Sequence, residues 1–310
     1  MRPSVIYVHG AGNKPPAPDL KQAWDRDLFG RDMAQQTRVA HYADLLHARP
    51  GSIGADACTL EQAFAALITL ADEEGETLPM DADEARDRVR AEDVDLFSGL
   101  SPEGQELALR LTMSIAAQAT ARPPSTAQAA EATEMFLPLP EALRRRLLRE
   151  LLRRLIPDAD AYFFGAVREA IRDRLRQALD AAAGPVVVVG HSLGTVVAYD
   201  VLREPRFADR PVPLLVSLGS PLGYAEIQDV VTRPLRVPAS VRLWANFADP
   251  VDVITLDTTL SDDFRAGPRI IDARVDNPSP NSHASCGYLR NRQVRAAVSA
   301  ALAESSPPGG

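Results

Sequence analysis

Residues Gly184 to Thr195 read Gly-Pro-Val-Val-Val-Val-Gly-His-Ser-Leu-Gly-Thr. A run of β-branched residues ends in a glycine-flanked serine, and a helical stretch from Val196 to Arg203 follows at once. That order is strand, sharp turn, helix, with Ser192 at the apex. Such a turn holds a serine in a strained backbone conformation and pushes its hydroxyl out of the sheet, where it acts as a nucleophile. Gly190 and Gly194 leave room for the helix to pass close to the strand. The three fixed residues alone arise by chance ~0.1 times in a chain of this length. The flanking strand and helix therefore carry the signal, together with partners elsewhere.

A second strand-and-turn opens the chain, where Ser4-Val-Ile-Tyr-Val8 runs into His9-Gly10-Ala11-Gly12. Further along come Leu218-Gly219-Ser220-Pro221, then Asp249-Pro250-Val251, then His283 ahead of a last helix. In this order these pieces resemble the α/β-hydrolase superfamily of the lipase and serine-esterase type, over about two thirds of the chain. The resemblance implies a Ser-His-Asp triad with Ser192 as nucleophile. It also implies an oxyanion hole built from the N–H of Leu193 and an N–H of the first turn. Spacing leaves Ala11 and Gly12 both open as that second donor, with Ala11 taken first. His9, Gly10, Gly12, His191 and Ser220 fall at the rim. Ser220 is a poor second nucleophile, because neither a correctly spaced glycine nor a helix follows it.

Five histidines compete for the role of general base: His9, His41, His47, His191 and His283. His9 and His191 are locked beside backbone elements of the turns. His41 and His47 lie in and just after a second strand. His283 alone lies downstream of Ser192, in the turn-rich loop Asn277-Pro-Ser-Pro-Asn-Ser-His283, where catalytic side chains are commonly displayed. The chain order Ser…Asp…His then places the acid between the two. Asp249 ends the strand Ser240 to Phe247 and is the expected acid, with Asp252 on the same loop as the alternative. Asp272 and Asp276 read as solvated edge residues.

The elements that must position these residues alternate. Strands are expected near Val39 to Ala43 and at Val212 to Leu218, Val241 to Phe247 and Arg269 to Val275. Helices are expected at Leu20 to Phe29, Ala161 to Ala183 and Tyr288 to Ala303. Trp24 and Leu28 share one helical face, and Phe164, Val167, Ile171, Leu175 and Leu179 line another. The expectation is an α/β-hydrolase-type, mostly parallel sheet with helices on both faces. The segment 48–158 lies outside that pattern. It reads as an inserted all-helical cap or lid, with clear helices at Leu60 to Ala71, Glu103 to Ala121 and Glu141 to Ile156, and no repeat of fixed period. Residues 1–47 and 159–310 would form a discontinuous core. The stretch 141–156 carries a broad leucine face and six arginines. It is taken as a packed cap helix with arginines in solvent, ahead of peripheral membrane contact or a partner surface.

Composition bounds the rest. The chain has 310 residues, 45% hydrophobic and 25% charged, which is ordinary for a globular protein. A net charge of −8 gives no general footprint for nucleic acid. Lys14 and Lys21 are the sole lysines beside many arginines, which reads as codon bias. The first strand starts within a few residues of Met1, so no signal peptide is expected, and no apolar run is long enough to span a bilayer. Cys58 and Cys286 show no metal-binding spacing, and a disulfide is not expected in what reads as a cytoplasmic protein. Neither a cofactor nor a metal is implied.

The resulting expectation is a cytoplasmic serine hydrolase cleaving a carboxylic ester of a small-molecule acyl substrate. A thioesterase or amidase on the same fold is the nearest alternative. A non-catalytic binding or signalling module, docking a partner through its helical insertion, is the more distant one. Oligomeric state is not readable from this sequence.

Overall fold

The computed structural model describes residues 2–51, 99–121, 156–252, 254–255, 257–265, 269–278 and 282–306. The chain builds a six-stranded sheet from β1 (Ser4–Val8), β2 (Thr37–Ala40), β3 (Val186–His191), β4 (Val212–Leu218), β5 (Val241–Ala248) and β6 (Ile270–Arg274). The strand order is β2-β1-β3-β4-β5-β6, and every neighbouring pair is parallel. This is the α/β fold expected from the alternating pattern.

Strand β3 shows why the sheet sits in the middle. All six of its residues are buried, as a parallel strand covered on both faces requires. Successive side chains point to opposite faces. Val186 and Val188 join the cluster that holds Ile171, Leu175 and Leu179 of α4 (Arg168–Asp180) and Val197 and Val201 of α5 (Leu193–Leu202). Val187 and Val189 join Leu20, Trp24 and Leu28 of α1 (Ala17–Phe29), together with Val294 and Val298 of α8 (Arg292–Glu304). Each fully buried valine is worth roughly 1.5–3 kcal/mol, so a polar substitution at either Val187 or Val188 would strip one face of its helices.

Two helices expected as single pieces are broken. The helix expected over Ala161 to Ala183 is interrupted at 164–167. There Gly165 approaches so closely that a Cβ would lie 2.5 Å from the carbonyl oxygen of Ala161. The last helix divides into α7 (Ser285–Arg290) and α8, because Asn291 leaves helical geometry and its side chain accepts the N–H of Gln293 as an N-cap. Short helices α2 (Ala43–Leu46) and α6 (Ala225–Gln228) follow β2 and β4.

Within the segment 48–158, α3 (Pro102–Ala121) agrees with the expected helix at Glu103 to Ala121. It contacts α6, and Leu107 is buried in the same cluster as Ala11, Leu193 and Leu222. The expected helices at Leu60 to Ala71 and most of Glu141 to Ile156, with its arginine face, lie outside the described residues. No described helix is long and apolar enough to cross a membrane.

The strand order reverses at β1: the chain steps outward to β2, then returns to add β3 on the other side. Val8 at the end of β1 pairs with Gly190 near the end of β3. The turns after these two strands therefore lie side by side at the switch point, the crevice where open α/β sheets bind ligands.

Candidate active site

Ser192 leaves β3 with φ 51° and ψ −128°. A non-glycine residue there carries about 1–3 kcal/mol of strain and persists only where its surroundings fix it. Three bonds do so. Its N–H donates to the carbonyl of Leu218 at the end of β4 (3.0 Å), and its own carbonyl accepts both the N–H (2.9 Å) and the hydroxyl (2.7 Å) of Thr195. Ser192 precedes α5, yet its side chain does not cap that helix. The hydroxyl is thus spared from the commonest use of serine at such a position.

The helix passes very close to β1. A Cβ on Gly194 would lie 2.2 Å from the carbonyl oxygen of Val8, and one on Gly190 would lie 2.9 Å from Cα of Thr195. Leu193 is the first residue of α5, so its N–H is among those that find no acceptor inside the helix, and it stands at the positive end of the helix dipole. On the other side of the crevice, a Cβ on Gly10 would meet Cβ of Ser192 at 2.7 Å. The first turn therefore touches the serine. Its Gly12 N–H is committed to the Asp158 carboxylate at 2.6 Å.

His9 supports this turn without facing chemistry. Its Nδ1 donates to Gly10 O (2.8 Å), its Nε2 accepts the N–H of Tyr42 (3.0 Å), and its ring stacks on Tyr42 at 3.9 Å. His41 meets Pro15 O and Asp44, and His47 meets Asp158. His191 donates from Nε2 to the carbonyl of His283 at 2.8 Å, with the two rings 4.8 Å apart. The residue beside Ser192 thus holds the backbone of His283 at the end of β3.

His283 is buried, and its Nδ1 meets Oδ2 of Asp252 at 2.8 Å. A carboxylate only accepts, so Nδ1 carries the proton and the lone pair lies on Nε2. The partner is Asp252, where the sequence pointed to Asp249, and a turn explains the shift. Asp249 accepts the N–H of Val251 with its Oδ1 (2.8 Å), and its carbonyl accepts the N–H of Asp252 (3.0 Å). An aspartate that folds onto the backbone two residues ahead initiates a turn. That turn carries the next carboxylate round to the histidine. The Asp249 Oδ2 meanwhile accepts the N–H of Asn277 at 2.7 Å. Burial, with the charge of Asp252 nearby, raises the Asp249 carboxyl to about 6.

Three supporting residues were not singled out from sequence. The hydroxyl of Tyr288 donates to Oδ2 of Asp252, and burial beside that carboxylate pushes the phenol well above its ordinary range. The carboxamide of Asn277 donates to the carbonyls of Ser282 (2.8 Å) and Ala284 (2.9 Å), bracketing His283. Gly219, with φ 56°, lies where a Cβ would stand 3.1 Å from both Asp252 Oδ2 and His283 Nδ1. The glycine of Leu218-Gly219-Ser220-Pro221 was legible as a motif, but its function as clearance for the pair was not. Ser220 is taken up in support: it hydrogen-bonds the Thr195 hydroxyl at 2.7 Å and accepts the N–H of Leu222.

Cys286, three residues after His283, is buried. Cys58, the other cysteine of the chain, lies outside the described residues.

Comparison with known families gives one finding. A family profile described as a PGAP1-like alpha/beta domain, of α/β-hydrolase type, matches residues 163–235. The matched stretch runs from before α4 through β3, Ser192, α5 and β4. It includes neither the first turn nor Asp252 and His283. No curated protein matches the chain.

Proposed function

We propose that this protein is a serine hydrolase that cleaves a carboxylic ester through an acyl-enzyme. The observation that carries the reading is the buried His283–Asp252 pair at 2.8 Å, brought by His191 to the end of the strand on which Ser192 stands at φ 51°. The strand–turn–helix around Ser192 is then a nucleophile elbow.

The steps follow from the groups. Nε2 of His283 takes the proton of the Ser192 hydroxyl as Oγ attacks the acyl carbon. Asp252 holds the tautomer that leaves Nε2 basic and stabilises the imidazolium that forms. The N–H groups of Leu193 and Ala11 receive the charge that develops on the carbonyl oxygen. Gly12 is the weaker candidate because its N–H is already held by Asp158. The C–O bond breaks, and the leaving alcohol takes the proton from His283. Water then loses a proton to His283 and releases the carboxylic acid, regenerating Ser192.

The segment 48–158 is read as a cap that supplies part of the acyl-binding wall. Supporting this are the packing of α3 on α6 and the burial of Leu107 with Ala11, Leu193 and Leu222.

The experiment is a series of p-nitrophenyl esters of increasing acyl length, run beside matched thioesters and anilides. Ester turnover that depends on Ser192 supports the reading. Thioester or anilide turnover without ester turnover would move the assignment to the thioesterase or amidase alternative, and no turnover of any class would count against an enzyme.

A further inference from the structure

Two charged side chains, far apart in sequence, grip one peptide of the first turn. The carbonyl of Ala11 accepts from Nζ of Lys14 at 2.9 Å, and the N–H of Gly12 donates to Oδ2 of Asp158 at 2.6 Å. These are the two polar ends of the single peptide group that joins Ala11 to Gly12. Both side chains are buried, Lys14 to 7% exposure and Asp158 to 4%. A cation on the carbonyl and an anion on the amide hydrogen both make charge-assisted bonds, about twice as strong as neutral ones. Flipping this peptide, otherwise feasible at a glycine with φ +83°, would turn each pole against a like charge.

The same grip closes the base of the inserted segment. Oδ2 of Asp158 also meets Nε2 of His47 at 3.2 Å. The N–H of Gly51 donates to the carbonyl of Lys14, and the Asn13 carboxamide donates to the carbonyl of Arg49, both at 2.8 Å. The outgoing end of the segment (His47, Arg49, Gly51) and its returning end (Asp158) thus meet on residues 11–14. Lys14, one of two lysines in a chain rich in arginine, supplies a compact point charge to that carbonyl.

We infer that Lys14 and Asp158 are positioning residues for the oxyanion turn. They fix the plane of the Ala11–Gly12 peptide, take the Gly12 N–H out of competition and, by holding the carbonyl of Ala11, steady the adjoining Gly10–Ala11 peptide, whose Ala11 N–H is left as the donor. Through Asp158 they also tie the base of the inserted segment to that donor. The inference rests on the hydrolase reading above, since it concerns the charge formed in that reaction. A preorganised donor loses its worth when displaced by even about 1 Å.

The test uses the full chain as wild type, Lys14→Met, Asp158→Asn and Asp158→Ala. The rate with p-nitrophenyl acetate is expressed per site titrated to completion with a fluorophosphonate. An aryl trifluoromethyl ketone, whose adduct with serine places a full negative charge in the oxyanion hole, serves as inhibitor. Removing such a donor outright costs ~10²–10³ in kcat, so Lys14→Met and Asp158→Ala are expected to lose roughly 10–100-fold. KM should stay within about threefold, and ketone affinity should weaken in parallel with kcat. Asp158→Asn retains an acceptor for Gly12 and should fall between wild type and Asp158→Ala. If Asp158→Ala fails to fold, Lys14→Met and Asp158→Asn decide. Variants that keep kcat and ketone affinity within about twofold of wild type would overturn the clamp while the hydrolase reading stands. A folded wild type that neither labels nor hydrolyses would overturn that reading, and the clamp with it.

Discussion

The hydroxyl of Tyr288 donates to Oδ2 of Asp252 at 2.7 Å. The same oxygen meets His283, and the same phenol accepts the backbone N–H of Asp249 at 3.0 Å. Tyr288 therefore fixes both the carboxylate and the turn that presents it. Tyr288→Phe leaves the ring in place but strands the Asp249 N–H and removes one bond to a buried carboxylate. Unfolding free energy should drop by about 1.5–3 kcal/mol. The kcat should fall roughly tenfold, equivalent to ~1.4 kcal/mol of lost orientation in the transition state. Chemical denaturation and steady-state kinetics on the same preparation check both.

Asp252 and Asp249 separate by substitution. Asp252→Asn favours the wrong imidazole tautomer and should lower kcat by roughly 10³–10⁴, with the fold retained. Asp249→Asn touches the turn and the Asn277 N–H but not the histidine, and should cost about tenfold or less. The ratio of the two kcat values at pH 8 is the measurement. A larger loss at Asp249 would return the orienting role to that residue.

Asp249 also carries a pH signature. Its carboxyl is raised from 3.8 to about 6, chiefly by burial. The native state then holds this proton more tightly than the unfolded chain, so the group's contribution to stability falls as pH rises from about 4 to 6 and is level above that window. Asp249→Asn cannot titrate. The melting temperature of the variant relative to wild type should therefore climb by several degrees between pH 4 and 6.5, then stay constant. A difference independent of pH would show that folding leaves the Asp249 carboxyl at its ordinary value.

The sequence reached the frame of this site more readily than its fine orientation. Ser192 and His283 could be singled out as candidates, one by a strand, tight turn and helix, the other by chain order among five histidines. The strands were legible because β3 is a continuous β-branched run and β5 ends in Asp249-Pro250. Asp252 stood second to Asp249 because both lie on the same loop, and only the closed turn decides which carboxylate turns inward. Tyr288 read as the start of a helix, since nothing in its neighbours tells that its hydroxyl reaches back 36 residues. Asp158 was hidden for the same reason, because its bond to Gly12 spans 146 residues. Long-range side-chain to backbone bonds leave no periodicity to read.

The most direct test of the account is covalent labelling of the intact protein with a fluorophosphonate, followed by peptide mapping of the adduct. One adduct is expected, on Ser192, absent from Ser192→Ala, with ester turnover in that variant reduced by roughly 10⁴–10⁶. An adduct on Ser220 or elsewhere, or a folded Ser192→Ala protein that retains more than about a tenth of wild-type turnover, would contradict it.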